Sequence, residues 1–197
     1  MTLTAVLFVG GESRRMGVDK ATLLVAGEPL WTRQLRILCE LKPESILISA
    51  RVRPAWCPPE MEVVLDEPPS RGPLSGLAAA LKKIQTTHLL TLAIDLPRME
   101  AGHLRKLLKR SHANGGVVPS LAGKLQPLCA VYPGGNFALA AAERSLSPGD
   151  CSMQSFVSLL TTQKRLEIFS VPDWESDHYL NMNTAEQFAA AVRLGRV

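Results

Sequence analysis

The chain has 197 residues and a mass of 21.4 kDa, the size of one domain that can bury a full hydrophobic core. Apolar residues make up 46% and charged residues 20%, which excludes a largely disordered protein. The formal net charge of +4 suits anionic small molecules, while an aromatic content of only 5% argues against a base-stacking surface for nucleic acid. We therefore expect a globular protein without a nucleic-acid partner.

No apolar run approaches the ~18 residues of a membrane span, and the N-terminal residues lack the basic segment of a signal peptide. The cysteines form no Cys-x-x-Cys pair, and their spacing fits neither a zinc site nor a disulfide scaffold. They are Cys39, Cys57, Cys129 and Cys151. These features predict a cytoplasmic protein with reduced thiols and no membrane contact.

The predicted elements alternate between short apolar strands and amphipathic helices. The first apolar run, 4–9, is typical of a strand that is buried on both faces. The next leucines recur at helical spacing after Pro29, a residue that the first turn of a helix accepts. In chain order, the first half predicts strand 4–9, helix 30–41, strands 45–50 and 62–65, helix 75–85, strand 88–94 and helix 102–112.

The second half continues this alternation after a turn at 114–116. It predicts two short strands within 117–132 around Ala122-Gly123, helices 137–144 and 153–160, strand 166–171, and a last helix from Thr184 with Gln187 in the capping-box position. No polar linker divides the chain, so we expect a single α/β domain over 1–197. The alternation predicts a mostly parallel sheet covered on both faces, with ligands at the carboxyl ends of its strands.

A glycine-rich, basic segment follows the first predicted strand, with the sequence Gly10-Gly11-Glu12-Ser13-Arg14-Arg15-Met16-Gly17-Val18-Asp19-Lys20. Adjacent glycines let the backbone approach a ligand closely, and their N–H groups can form a concave anion site. The spacing is neither that of a P-loop nor that of the G-x-G-x-x-G dinucleotide motif. The residues alone leave two alternatives, a cradle for a polyphosphate or a turn with a solvated basic stretch.

Polar residues also follow two later strands and precede the last helix. Asp66 and the segment 71–77 follow the third strand, where a Gly-Pro turn begins a helix whose N-terminus could face an anion. Asp95 follows the fourth strand, and Pro97 fixes the turn behind it. Beside a phosphate cradle Asp95 would be a natural Mg²⁺ ligand, whereas alone it could simply cap a turn. The segment 181–184 is either a helix N-cap or a source of amide ligands.

In this order, the segments resemble those of one family. Leu7 to Lys20 is similar to L-A-G-G-x-S-x-R-M-G-x-D-K, the signature of molybdenum cofactor guanylyltransferases. Shorter matches follow, 72–76 to G-P-L-x-G, 95–97 to D-x-P, 126–132 to q-P-L-x-A-v-Y and 181–184 to N-x-N-T. The resemblance covers nearly the whole chain, from residue 4 to about residue 190.

The resemblance implies a Rossmann-like, three-layer nucleotidyltransferase fold with a mostly parallel sheet. Phe8, Val9 and Gly10 would lie against the base and ribose, and Asp66 would contact the nucleoside. The full set of nucleotide-binding residues that the resemblance implies is Phe8, Val9, Gly10, Gly11, Ser13, Arg15, Lys20, Arg51, Asp66, Gly76 and Asp95.

The same resemblance implies a catalytic set, Arg15, Lys20 and Asp95. The two cations would hold phosphates, and Asp95 would bind Mg²⁺ with help from Asn183. The acceptor would lie against a lobe to which about 117–170 contributes. Its implied contacts are Gln126, Pro127 and Asn181.

The sequence departs from the family pattern at three places. Phe8-Val9 replaces the usual Leu-Ala, and Arg51 stands where some members carry an asparagine near the nucleotide. Ala185 replaces a proline that is common after N-x-N-T. The last change removes a rigid helix start but no chemical group.

The activity that the resemblance implies is Mg²⁺-dependent transfer of GMP from GTP to molybdopterin, with release of pyrophosphate. GTP and molybdopterin would be the small-molecule partners of a monomer or weak oligomer, which would also contact other molybdenum cofactor enzymes transiently. The pair Gly10-Gly11 favours guanine over the L-A-A-G pattern of cytidylyltransferases that act on the same cofactor. The open alternatives are such a cytidylyltransferase, transfer to another small phosphorylated acceptor, and a non-catalytic nucleotide-binding protein of the same fold.

Overall fold

The computed structural model describes residues 1–10, 19–66, 71–147, 152–182 and 187. Its strands are β1 (Leu3–Phe8), β2 (Leu24–Val25), β3 (Glu28–Pro29), β4 (Ser45–Ala50), β5 (Glu62–Leu65), β6 (His88–Ala93), β7 (Gly116–Leu121), β8 (Lys124–Leu125), β9 (Val131–Pro133) and β10 (Leu166–Ser170). Its helices are α1 (Leu30–Cys39), α2 (Pro73–Lys83), α3 (Ala101–Arg110), α4 (Asn136–Ser145) and α5 (Met153–Thr162). Two 3₁₀ helices, Lys20–Thr22 and Asp173–Tyr179, complete the described elements.

One eight-stranded sheet organises the chain, in the order β10-β7-β9-β6-β1-β4-β5 with β8 beside β7. Strand β1 lies between β4 and β6 and is parallel to both, and β5 continues the parallel part beside β4. Strand β9 runs antiparallel to its neighbours β6 and β7. The predicted mostly parallel α/β sheet is therefore confirmed, with β9 as its main antiparallel strand.

The sheet separates two hydrophobic cores, which makes the fold three-layered. Every residue of β1 is buried, because alternate side chains enter opposite layers. Ala5 and Leu7 join the core under α1 and α3, whereas Val6 and Phe8 join the core under α2, α4 and α5. This two-sided burial explains why the strand is apolar throughout rather than alternating.

The segment predicted as two strands, 117–132, contains three, β7, β8 and β9. The predicted turn is correct, since Ala122 and Gly123 have φ of +44° and +81° and join β7 to β8 as a two-residue hairpin loop. The additional strand follows a bend at Pro127, which lacks the N–H that a central ladder needs. The Pro127 carbonyl accepts hydrogen bonds from Tyr132 Oη (2.7 Å) and Thr91 Oγ1 (3.2 Å), and β9 begins beyond it.

The other predicted elements of the described part of the chain are present, with ends that differ by no more than about two residues. The β2–β3 hairpin and the two 3₁₀ helices carried no prediction. Thr184, the predicted start of the last helix, lies outside the described residues, and Gln187 is helical. Among the described residues, no helix is long and apolar enough to cross a membrane.

Candidate active site

The parallel strands bring the predicted site residues to one edge of the sheet. Strands β1, β4, β5 and β6 end at this edge, and Val9, Arg51, Asp66 and Asp95 come within one or two residues of those ends. Backbone hydrogen bonds extend the ladder past the strands, from Val9 N to Ser49 O (3.0 Å) and from Asp66 N to Ala50 O (3.2 Å). The residues that follow the strands therefore start from fixed backbone positions.

A close contact at Gly76 joins the second turn of α2 to the ends of three strands. A Cβ atom at this position would lie 2.3 Å from Ser49 Oγ, 3.0 Å from Asp66 Oδ1 and 3.2 Å from the Phe8 ring. The contact confirms that Phe8, Asp66 and Gly76, which the sequence predicts as nucleotide-binding, lie together. It adds Ser49, a buried residue that was not predicted, because a serine inside an apolar strand gives no signal of its own.

Helix α2 begins at this same edge. Gly72, with φ of +76°, is its N-cap residue, and Pro73 occupies the first turn, where a missing N–H has no cost. Ser75 Oγ accepts a hydrogen bond from Arg71 N at 2.9 Å, which ties the preceding backbone to the helix start. The Gly-Pro sequence thus works as a helix start, as predicted, and sets Gly76 against the strands.

Hydrogen bonds to backbone carbonyls fix the turn that carries Asp95. The four backbone carbonyls from Asp95 to Arg98 each accept a hydrogen bond, and the donors come from two distant parts of the chain, α1 and the segment 178–182. In order, they are Met182 N at 3.1 Å, Gln34 Nε2 at 2.7 Å, Arg33 Nε at 2.9 Å and His178 Nδ1 at 3.0 Å. The turn is therefore restrained along its whole length, which suits a carboxylate that must keep a fixed position.

The electrostatics of Asp95 favour a cation beside it. Burial raises the pKa of the Asp95 carboxyl above its ordinary value, and the nearby positive charge of Lys20 acts in the opposite direction. Two residues of the predicted catalytic set thus lie within electrostatic range of each other, one in the 3₁₀ helix Lys20–Thr22 and one at the end of β6. A carboxylate that has lost solvation gains from a bound cation.

Lys20 begins the short 3₁₀ helix Lys20–Thr22, and Asp19 caps it. Asp19 Oδ1 accepts from Ala21 N at 3.0 Å, and the Asp19 carbonyl accepts from Thr22 N at 3.1 Å. The Asp-Lys pair of the sequence therefore has a structural reason, since the aspartate fixes the backbone that carries the lysine. Gly11, Ser13, Arg15 and Asn183 lie outside the described residues, and their predicted roles stay predictions.

The predicted acceptor contacts fall into two groups. Gln126 N donates to Pro119 O at 2.8 Å, and the Pro127 carbonyl is bound as described above, so this bend is firmly attached to the sheet. Asn181 is exposed and precedes Met182, whose N–H binds the Asp95 carbonyl. Asn181 therefore adjoins the Asp95 turn.

A buried aromatic cluster lies behind the Asp95 turn. His178, which binds the Arg98 carbonyl, packs its ring 4.5 Å from that of His103 on α3. His103 Nε2 in turn forms a 2.7 Å hydrogen bond with the Tyr179 hydroxyl. Burial, with the charge of His178, lowers the pKa of His103 to about 4, so this histidine is neutral at physiological pH.

Among the described residues, no cluster of three or more His, Cys, Asp or Glu side chains could hold a metal ion. Asp95 offers a carboxylate donor at the edge of the sheet. Mg²⁺ typically takes one or two protein carboxylates and completes its coordination with water and substrate phosphates. The donor set fits that ion and does not fit a structural zinc site.

Comparison with known proteins identifies similar sequences and folds. The family model for the MobA-like NTP transferase domain matches residues 5–162. "Probable molybdenum cofactor guanylyltransferase" of Opitutus terrae is 38% identical over 187 residues, which covers 93% of this chain and 92% of that protein. "Molybdenum cofactor guanylyltransferase" of Syntrophotalea carbinolica is 31% identical over 199 residues, covering 98% and 91%.

A solved structure gives the corresponding comparison of folds. Molybdopterin-guanine dinucleotide biosynthesis protein A from Archaeoglobus fulgidus superposes with a TM-score of 0.71 and covers 98% of each chain. The two sequences are 21% identical, so this likeness shows a shared fold.

Proposed function

The chain belongs to the MobA-like NTP transferase family, and on that premise we propose that it transfers GMP from GTP to molybdopterin and releases pyrophosphate. The observation that carries the proposal is the restrained carboxylate of Asp95, near enough to Lys20 to feel its charge, at the edge where β1, β4, β5 and β6 end. In open α/β sheets this edge is where ligands bind.

The nucleoside of GTP is proposed to lie against the contact between α2 and the strands. Phe8 supplies an aromatic edge there, and Asp66 and Ser49 supply oxygen atoms beside Gly76. Gly76 allows α2 to lie this close to the strands, because a Cβ atom there would clash with Ser49 Oγ. Val9 and Gly10 follow β1 beside this contact, and exposed Arg51 follows β4.

The phosphates are proposed to lie toward Lys20 and Asp95. Lys20, with Arg15, would neutralise the charge that develops on the leaving pyrophosphate. Asp95, with Asn183, would hold a divalent metal, and a carboxylate with an amide oxygen suits Mg²⁺. When bound, Mg²⁺ supplies positive charge to the phosphate oxygens.

No general base is required of the chain, because the attacking phosphate of molybdopterin is already anionic near neutral pH. The task of the protein is to bring two anions together and to stabilise the charge of the transition state. The residues assigned to this task are cations and a carboxylate. The buried histidine His103 lies behind the Asp95 turn, where its side chain is hydrogen-bonded to Tyr179.

The acceptor is proposed to approach from the lobe to which 117–170 contributes. The bend at Gln126 and Pro127 is anchored to Thr91 and Tyr132, and Asn181 adjoins the Asp95 turn. We propose a single domain that works in the cytoplasm as a monomer or weak oligomer. Transient contact with other molybdenum cofactor enzymes would deliver its product.

Thermal-shift titration with GTP and CTP tests the base assignment. A site that hydrogen-bonds guanine leaves buried polar groups unpaired with another base, so GTP should stabilise the protein much more than CTP. Equal or greater stabilisation by CTP would favour the cytidylyltransferase alternative and contradict the proposal.

A further inference from the structure

An indole ring from a distant loop holds the residue that caps Lys20. Trp56 Nε1 donates a 2.8 Å hydrogen bond to Asp19 Oδ2, while Ala21 N binds the other carboxylate oxygen. Both oxygens of Asp19 thus have N–H donors. A carboxylate beside a polyphosphate would repel it, and these donors offset part of that charge and fix its position.

The loop that carries Trp56 is itself rigidly built. It lies between β4 and β5, and Arg53 Nη2 donates to the carbonyls of Pro58, Pro59 and Met61 at 2.7–3.1 Å. The Trp56 ring also stacks on Trp31 of α1, with 5.1 Å between ring centroids and an angle of 18°. The indole N–H is therefore presented to Asp19 from a fixed direction.

The first turns of α1 connect this arrangement to Asp95. Leu30 N donates to Leu23 O at 2.9 Å, which attaches the end of the Lys20 segment to the helix. Trp31 stacks on Trp56, and one turn later Gln34 Nε2 donates to Leu96 O at 2.7 Å. The same helix end thus holds the segment with the lysine and the turn with the aspartate.

From this geometry we infer that Trp56 is a positioning residue for guanylyl transfer, which acts through Asp19 to hold Lys20 at a set distance from Asp95. The inference rests on the proposed function, because it takes Lys20 as a phosphate ligand. It adds a residue that lies outside every matched motif.

The test compares Trp56→Phe with Trp31→Phe. Both variants keep an aromatic ring in the stack, but only Trp56→Phe removes the hydrogen bond to Asp19. Asp19→Asn leaves one acceptor oxygen for two N–H donors, so it can bind Ala21 N or Trp56 Nε1 but not both. Kd values for Mg²⁺·GTP and for guanosine are measured by calorimetry, and melting curves report folding.

We expect Trp56→Phe to weaken GTP binding about tenfold, the loss typical of one hydrogen bond to a charged group, with guanosine binding unchanged. Asp19→Asn should weaken GTP binding less, because removing the carboxylate charge beside the phosphates offsets part of the loss. Trp31→Phe should bind GTP like the wild type. The double variant Trp56→Phe/Asp19→Asn should be no weaker than Trp56→Phe alone, since the indole bond is already absent in that variant.

The results distinguish a failure of the inference about Trp56 from a failure of the proposed function. If wild-type protein binds GTP tightly and Trp56→Phe matches Trp31→Phe, or if the two single losses add in the double variant, the inference about Trp56 is wrong. If GTP and guanosine weaken together, Trp56 has only a general structural role and the inference is also wrong. Wild-type protein that binds GTP no better than guanosine would overturn the proposed function first.

Discussion

Gly76 and Ser49 touch so closely that no side chain fits between them, since a Cβ atom at residue 76 would lie 2.3 Å from Ser49 Oγ. The contact places the start of α2 directly on the end of β4. It also brings Phe8 and Asp66 to the same point, 3.2 and 3.0 Å from that Cβ position. The proposed nucleoside side of the site therefore depends on a glycine.

Replacing Gly76 by alanine should displace Ser49 and Asp66. We expect Gly76→Ala to weaken GTP and guanosine binding by a similar factor, about tenfold, because the change lies on the nucleoside side. Isothermal titration with both ligands measures the two losses.

Gly102→Ala is the matched control, because Gly102 also lies in a helix and an added Cβ there meets nothing within 4 Å. It should bind GTP normally and gain up to about 1 kcal/mol of stability from the better helix former. Removing the clashing oxygen as well, in Gly76→Ala/Ser49→Ala, should restore part of the affinity. Normal binding by Gly76→Ala would show that the contact does not shape the site.

Lys20→Ala should weaken GTP more than guanosine. A charge-assisted contact is worth roughly 1.5–3 kcal/mol, so a loss of about tenfold or more is expected for GTP alone. Arg15→Ala should behave similarly. Lys109→Ala, which removes the same charge from an exposed position of α3, is the control. A loss shared equally by GTP and guanosine would mean that Lys20 is structural.

Asp95→Asn should abolish most turnover without unfolding the protein. Burial raises the pKa of Asp95, so at pH values above the ordinary aspartate pKa the ionised carboxylate lowers the free energy of unfolding. The neutral amide of asparagine removes that cost. We expect a melting temperature at neutral pH equal to or above that of the wild type. Turnover should fall by orders of magnitude, because the charge that holds the metal is gone.

Asp173→Asn, at an exposed position, is the control for the loss of a carboxylate and should retain activity. Thermal melts and pyrophosphate release are measured on both variants. Near-normal activity in Asp95→Asn would assign Asp95 to turn capping and place the metal elsewhere. Loss of activity only through unfolding would lead to the same conclusion.

The stability of the fold should depend on His103 between about pH 4 and 6.5. The pKa of His103 is lowered from 6.5 to about 4, so in this range the unfolded chain binds a proton that the folded chain does not. The contribution of neutral His103 to the free energy of unfolding is fully present above pH 6.5. It is lost as the pH falls toward 4, by up to about 3 kcal/mol.

Denaturant unfolding at several pH values measures this dependence. His103→Gln should flatten the profile in that range, whatever its effect at neutral pH. His112→Gln, at an exposed position, should leave the profile unchanged. A His103→Gln profile as steep as that of the wild type would assign the acid sensitivity to other groups.

The fold could be predicted largely because its strands are short, apolar and bounded by charged or turn-forming residues. Strands β4 and β5 have the predicted bounds, and the three-layer arrangement follows from the doubly buried run of β1. The β2–β3 hairpin gave no such signal, because one of its turn residues is Ala26, which adopts a φ of +51° despite being neither glycine nor asparagine.

Candidate site residues could be predicted where a motif or a strand end marks them, and not where packing alone supplies them. The glycine-rich segment, Gly76 and Asp95 come from motifs and Asp66 from its place after a strand; the family that the motifs indicated is confirmed, and the roles of the residues stay predictions. Ser49 and Trp56 belong to no motif, and the Trp56–Asp19 hydrogen bond joins residues 37 apart in sequence. Gln34 is a polar residue within the leucine pattern of α1, and its side chain donates a hydrogen bond to Leu96 O in the Asp95 turn. The sequence does not show this contact, because the two residues come together only in the fold.

Turnover with each of the four NTPs decides whether the chain is a guanylyltransferase. Purified protein is incubated with Mg²⁺, molybdopterin and one of the four NTPs, and pyrophosphate release and the mass of the product are measured. We predict pyrophosphate and a molybdopterin–guanine dinucleotide with GTP, little with the other three, and loss of both in Asp95→Asn. Equal or faster product formation with CTP, or no pyrophosphate with any NTP, would mean that the chain is not a guanylyltransferase.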